Sequence, residues 1–155
     1  MRMIGKWGFK IAKKSNIKSV RRSYKSTSYY STIYDASYML CIEMESSDKK
    51  NITSILSQIT DPVHLPFQNE MFIAGDRSGD AVLYEPNKFP FGCIGPCNFI
   101  WKKSEEGANS SLWIFVHPSY VKQIHEILTK LGEEKVKLVL REGEKKFLIV
   151  FFYFF

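Results

Sequence analysis

Apolar residues recur along the chain with two different periods. Ile52, Ile55, Leu56 and Ile59 stand at i, i+3, i+4 and i+7, which predicts a helix over Asp48–Thr60. Ser47 or Asp48 can cap its start, and Asp61-Pro62 marks its end. The same spacing returns in Val121, Ile124, Leu128 and Leu131, predicting a second helix over Ser119–Leu131 with Gly132 as its C-cap. Short β-branched and aromatic runs predict strands at Ser37–Met44, Met71–Ala74, Ala81–Glu85, Asn98–Lys102, Leu112–His117 and Val136–Leu140. Gly95-Pro96 reads as punctuation before one of these strands. Ser104–Ser111 is long enough for a loose hairpin connection. Leu112–Val116 is apolar at every position, so it is expected to be covered on both faces and to lie in the middle of a sheet, with Trp113 almost fully buried.

The order is β-α-β-β-α-β with an extra hairpin. That is an α+β domain, a mostly antiparallel sheet with two helices on one face. Arg141–Lys146 is expected to turn around Gly143. Phe147–Phe155 is an apolar run of nine residues, half the ~20 that span a bilayer. It reads as a closing strand or a truncated end. Left exposed, such a run is an aggregation hazard.

Charge divides the chain differently. Residues 1–34 contain nine basic residues and no acidic one, while the rest holds 13 basic against 16 acidic. The division expected is a basic arm at 1–34, an α+β domain at 35–146 and a terminal apolar strand at 147–155. The arm also carries Trp7, Phe9, Tyr24, Tyr29, Tyr30 and Tyr34. Cations interleaved with aromatics suit RNA, because Lys and Arg neutralise phosphates while rings stack on unpaired bases. A solvated basic tail with anchoring aromatics has the same composition. Frequent serines argue for an extended or irregular arm, and no amphipathic helix suited to a membrane surface is evident. With 155 residues the chain can bury a real core. An odd count of three cysteines and a start without an apolar run point to a reducing compartment.

No catalytic constellation emerges. Cys93 and Cys97 form one loose pair where a structural zinc site needs two tight ones, so no metal is expected. His64, His117 and His125 are scattered. Gly75–Asp80 lacks the Lys-Ser/Thr of a phosphate-binding loop and the spacing of a dinucleotide fingerprint, so a turn is the better reading. Arg77 at its tip can still reach a phosphate. Asp76 and Asp80 fit neither an EF-hand nor a two-metal site. No cofactor is expected.

Several blocks, in order, carry a resemblance. They are Trp7-Gly8-Phe9, Lys18–Lys25, Asp35-Ala36-Ser37-Tyr38 leading into Cys41-Ile42-Glu43, Gly75–Gly79, Leu83-Tyr84, Ile94–Trp101 and Leu112–Ser119. Together they make the chain resemble the largest protein subunit of eukaryotic ribonuclease P and ribonuclease MRP. The match covers about residues 6–130, ends by Gly132, and concerns a family whose members are several times longer. The resemblance implies a non-catalytic scaffold for an RNA that matures the 5′ end of precursor tRNA or processes ribosomal RNA precursors. It implies a nuclear and nucleolar location, with structured RNA and other protein subunits as partners. Part of the family looks like the folate-binding aminomethyltransferase fold. The Lys18–Lys25 block matches a basic motif of the family. RNA contact is therefore expected at Lys18, Arg21, Arg22 and Lys25, with Tyr24 as a stacking ring and Arg77 as a further contact. Two other readings stay open: a folate-linked transferase domain, and a basic protein-interaction module without an RNA role.

Overall fold

The computed structural model describes residues 3–14, 18–30, 32–36, 38–103, 109–132, 136–141 and 150–153. Residues 1–39 with 145–155 form one compact unit and residues 40–144 another.

In the first unit, β1 (Met3–Lys6) and β2 (Phe9–Ala12) form an antiparallel hairpin pairing Lys6 with Phe9, so Trp7 and Gly8 are its two-residue turn. Both have positive φ, 52° and 81°, as a type I′ turn demands. Ile4, Phe9 and Ile11 are half-buried, while Met3 and Lys10 are exposed. Helix α1 (Val20–Tyr29) follows, then β3 (Thr32–Asp35). The arm is thus not extended or irregular, as its serines suggested. Its hydroxyls bond within the helix, Ser23 Oγ to the Ser19 carbonyl at 3.3 Å and Thr27 Oγ1 to the Ser23 carbonyl at 2.9 Å. The last described strand, β9 (Val150–Tyr153), pairs antiparallel with β3.

The second unit runs β4 (Leu40–Ser46), α2 (Lys49–Ser57), a 3-10 turn (Pro66–Gln68), α3 (Glu70–Ile73), β5 (Ser78–Tyr84), β6 (Cys93–Trp101), β7 (Ser110–Val116), α4 (Val121–Gly132) and β8 (Lys137–Arg141). Its five strands stand in the order β5-β6-β7-β4-β8, every pairing antiparallel. The α+β class and the central place of β7 follow the apolar pattern. Alternation sends Ile42 and Met44 of β4, Ile114 and Val116 of β7, and Phe99 and Trp101 of β6 into one core with Ile52, Ile55 and Leu56 of α2 and Val121, Ile124 and Leu128 of α4. Phe67 lies 4.2 Å from Phe99 between ring centroids, and the Trp101 indole N–H donates to the Phe67 carbonyl at 3.3 Å.

Four local expectations are corrected. Met71–Ala74 is not a strand: the Asn69 side chain accepts from the Met71 N–H at 3.0 Å and caps the short helix α3. Gly95-Pro96 lies inside β6 rather than before it. Its pairing with β7 begins at Cys97, so the missing proline N–H falls beyond the end of that neighbour. Gly132 is the last, buried residue of α4 rather than a cap outside it. Trp113 is only half-buried, because the helices cover one face of β7 and Trp113 and Phe115 point to the other. The fully buried tryptophan is Trp101. Most of the Ser104–Ser111 connection and of the Arg141–Lys146 turn lies outside the described residues.

Candidate nucleic-acid interface

Helix α1 holds the expected basic block. Arg21, Arg22 and Lys25 are on it and Lys18 immediately precedes its N-cap, Ser19. Arg21, Arg22 and Lys25 fall on one face of the helix, and Lys18 precedes it by two residues. All four are exposed. Among the described residues, none of them is in an ion pair. Tyr29 continues the stripe, four residues beyond Lys25 and seven beyond Arg22, and is 71% exposed. Tyr24 is exposed three residues from Arg21, at the side of the stripe. The signal for Tyr29 was in the sequence, but only the helix makes its spacing meaningful.

The helix has little else to hold it. It buries no residue, and Ser19 makes no side-chain cap bond. Like charges at i, i+4 each cost about 0.2–0.5 kcal/mol of helix stability. Ten residues is also under the length at which isolated helices are stable in water. A polyanion along the stripe would relieve the repulsion and neutralise several cations at once.

The hairpin of the same unit presents a further aromatic. Trp7 forms its tip with a left-handed backbone that is rare for a bulky residue. Its ring is 43% exposed, with the Lys6 Nζ 5.4 Å from the centroid. The x-Gly dipeptide between short apolar runs was the available signal for this turn.

Arg77 belongs to the other unit. It is exposed just before β5 and donates from Nη1 to the Met71 sulfur at 3.2 Å. The glycines flanking it serve packing. Gly75 has φ 79°, and a Cβ there would meet the Trp101 carbonyl oxygen at 2.8 Å. A Cβ on Gly79 would meet the Phe99 ring at 2.4 Å.

Among the described residues of the second unit the buried carboxylate is Glu43, on the sheet face away from the helices. Its Oε1 accepts from Ser111 Oγ at 3.1 Å and the Trp113 indole N–H at 2.9 Å, while Oε2 pairs with Arg141. Burial alone would raise its pKa. The hydrogen bonds from Trp113, Arg141 and Ser111 outweigh that and hold the carboxyl below its ordinary value. Both oxygens are thus engaged by the chain itself, in a structural role. Cys41 and Cys97 are buried, and burial pushes each thiol up to about 12, whereas Cys93 is exposed. Among the described residues no three His, Cys, Asp or Glu side chains cluster as metal ligands would.

Residues 1–47, which include the hairpin and α1, match the family described as "Ribonucleases P/MRP protein subunit POP1, N-terminal". The human protein named ribonucleases P/MRP protein subunit POP1 is 30% identical over 128 residues, 80% of this chain. The resemblance is to the POP1 subunit of ribonucleases P and MRP. The Caenorhabditis elegans protein named ribonucleases P/MRP protein subunit popl-1 is 31% identical over 123 residues, 76% of the chain. The chain spans only 12% of the human POP1 and 14% of the worm protein. It corresponds to a small part of those subunits.

Proposed function

We propose that this chain is an RNA-binding scaffold segment of a ribonuclease P/MRP-type ribonucleoprotein. The observation that carries the reading is the exposed stripe Arg21, Arg22, Lys25 and Tyr29 along α1, with exposed Lys18 just before the helix, within the region matching the POP1 N-terminal family. The cations meet successive phosphates, and Tyr29 and Tyr24 stack on unpaired bases beside them. Arg77 adds a contact from the second unit. The chain supports 5′ maturation of precursor tRNA and processing of ribosomal RNA precursors, in the nucleus and nucleolus, with other protein subunits as neighbours. It does not itself cut RNA. The similarity to proteins named as POP1 subunits supports the particle, and the stripe supports the mode of contact. Sequencing the RNA that co-purifies with the tagged chain tests this. The expected result is enrichment of the ribonuclease P or MRP RNA, lost when Lys18, Arg21, Arg22 and Lys25 are all changed to Ala. Enrichment of neither RNA, or recovery unaltered by the four changes, would contradict it.

A further inference from the structure

Strand β5 is an outer strand of its sheet, and its free side is a lined groove. Lys102 donates its N–H to the Ser111 carbonyl at 2.9 Å, which turns the even-numbered positions of β6 toward β7. The odd positions of β6 then face β5, and through the register Phe99↔Gly79 and Cys97↔Ala81 they engage the odd positions of β5. The backbone N–H and C=O groups of Ser78, Asp80 and Val82 are therefore directed away from the sheet. The Tyr84 N–H agrees, since it leaves the sheet to bond the Ile59 carbonyl at 2.7 Å, closing one end of the groove. Along this edge lies a cavity of about 350 Å³, mostly apolar, between β5 and the segment after α2, with Pro66, Val82 and Tyr84 in its lining.

Its ionisable lining groups are Asp61, His64, Asp80 and Tyr84, with no Lys or Arg. Asp61 accepts from the Val63 N–H at 2.8 Å and lies 2.9 Å from His64 Nδ1, and its carboxyl is held below the ordinary value, first by the Val63 bond. Asp80 accepts from the Asn98 side-chain amide. Sheet edges in proteins are normally blunted by lysine, proline or a covering element. The outward positions Ser78, Asp80 and Val82 carry neither lysine nor proline, and Val82 is 41% exposed.

We propose that this groove is a docking site for an extended segment of a partner protein, added beside β5 as a further strand. The segment carries a β-branched side chain over the apolar floor and a Lys or Arg at Asp61 and Asp80. Main-chain hydrogen bonds to an exposed edge give such complexes their affinity, and alternate side-chain contacts give their specificity. The two carboxylates repel phosphate, so the site favours a peptide over RNA. The inference does not depend on RNA contact at α1.

The test uses the full chain, isotope-labelled, titrated with the capped heptapeptide Thr-Lys-Val-Thr-Val-Lys-Thr. The expected result is that the Asp80 and Val82 amides shift and exchange with solvent about tenfold more slowly. The same peptide with Glu for both lysines binds about tenfold more weakly, and Asp61→Asn with Asp80→Asn largely removes that preference. N-methylation of alternate peptide amides, which leaves every side chain in place, abolishes binding. This peptide-side change and the Lys-to-Glu change keep the test decisive if the double variant folds poorly. Absence of shifts at Asp80 and Val82 at millimolar peptide, or equal binding of the Lys and Glu peptides, would overturn the proposal. So would protection of these amides in a dimer of the chain without peptide, or their response to single-stranded RNA instead.

Discussion

Helices α1 and α2 are nearly equal in length, ten and nine residues, and are helical for opposite reasons. Helix α2 is capped by Asp48, whose side chain accepts from the Lys50 N–H at 2.9 Å, and it buries Ile52, Ile55 and Leu56. Helix α1 has no side-chain cap bond and buries nothing. Both obey the same 3.6-residue period. In α2 the period is written in isoleucines and leucine, and it meets a sheet. In α1 it is written in cations, and it meets solvent. The first pattern stabilises the fold, whereas the second costs helix stability.

The comparison breaks first in the core. Trp101 is 1% exposed, and Trp101→Ala should cost about 3–5 kcal/mol. Trp113→Ala should cost less, because Trp113 is only half-buried, its loss falling on packing and on the bond to Glu43. Denaturant titration of the two variants checks the ranking. A larger loss at Trp113 would mean that the open sheet face, not the helix-covered one, carries the stability.

Glu43 comes next. Glu43→Gln separates the carboxylate from Arg141 and should cost about 2–3 kcal/mol near neutral pH, below the range for a fully buried pair because Arg141 reaches solvent. The folded-state pKa is depressed, so this stability is present above the unfolded value near 4.3 and is lost as pH falls through the folded one. Melting curves of wild type and variant should therefore draw together below about pH 5, as pH falls through the depressed folded value. A gap that stays constant as pH falls below about 5 would remove the carboxylate's charge from the account.

Much of this was legible in the chain. The apolar stripes of α2 and α4, the central strand β7 and the α+β class all follow from side-chain periods that the packed structure keeps. Trp113 departs from its expected burial because a run apolar at every position does not reveal that helices cover only one face of the sheet. Met71–Ala74 looked like a strand until its Asn69 cap was considered. At the candidate interface the four cations stand out as a motif, but the helix that puts three of them on one face does not. Ser23, Ser26, Thr27 and Ser28 argued for irregular chain, since hydroxyls compete with the helical backbone. Here Ser23 and Thr27 turn theirs onto the carbonyl one turn back. Tyr29 therefore stayed hidden. The edge groove at β5 depends on register, which composition does not carry.

On the α1 side the effects are smaller and fall on binding. Tyr29→Ala should weaken single-stranded RNA binding by about 1–3 kcal/mol without altering its salt dependence, since stacking releases few ions. Tyr24→Ala should do the same to a lesser degree, because Tyr24 lies beside the stripe rather than on it. Fluorescence anisotropy at two salt concentrations separates this from a structural role, in which thermal stability would fall as well. Circular dichroism at 222 nm should show helicity rising as RNA is added. Smaller still is the response of the core to the stripe. Changing Lys18, Arg21, Arg22 and Lys25 to Ala should move global stability by less than about 0.5 kcal/mol, as exposed charges contribute little to folding.

The most direct measurement of the central claim is the salt dependence of that quadruple variant's RNA affinity. On single-stranded RNA, log K falls with log salt at about 0.7 per phosphate neutralised. If each of the four cations meets a phosphate, the slope of the variant should be shallower than wild type by roughly 3. A variant that binds with the wild-type affinity and slope would show that α1 is not the surface that meets RNA.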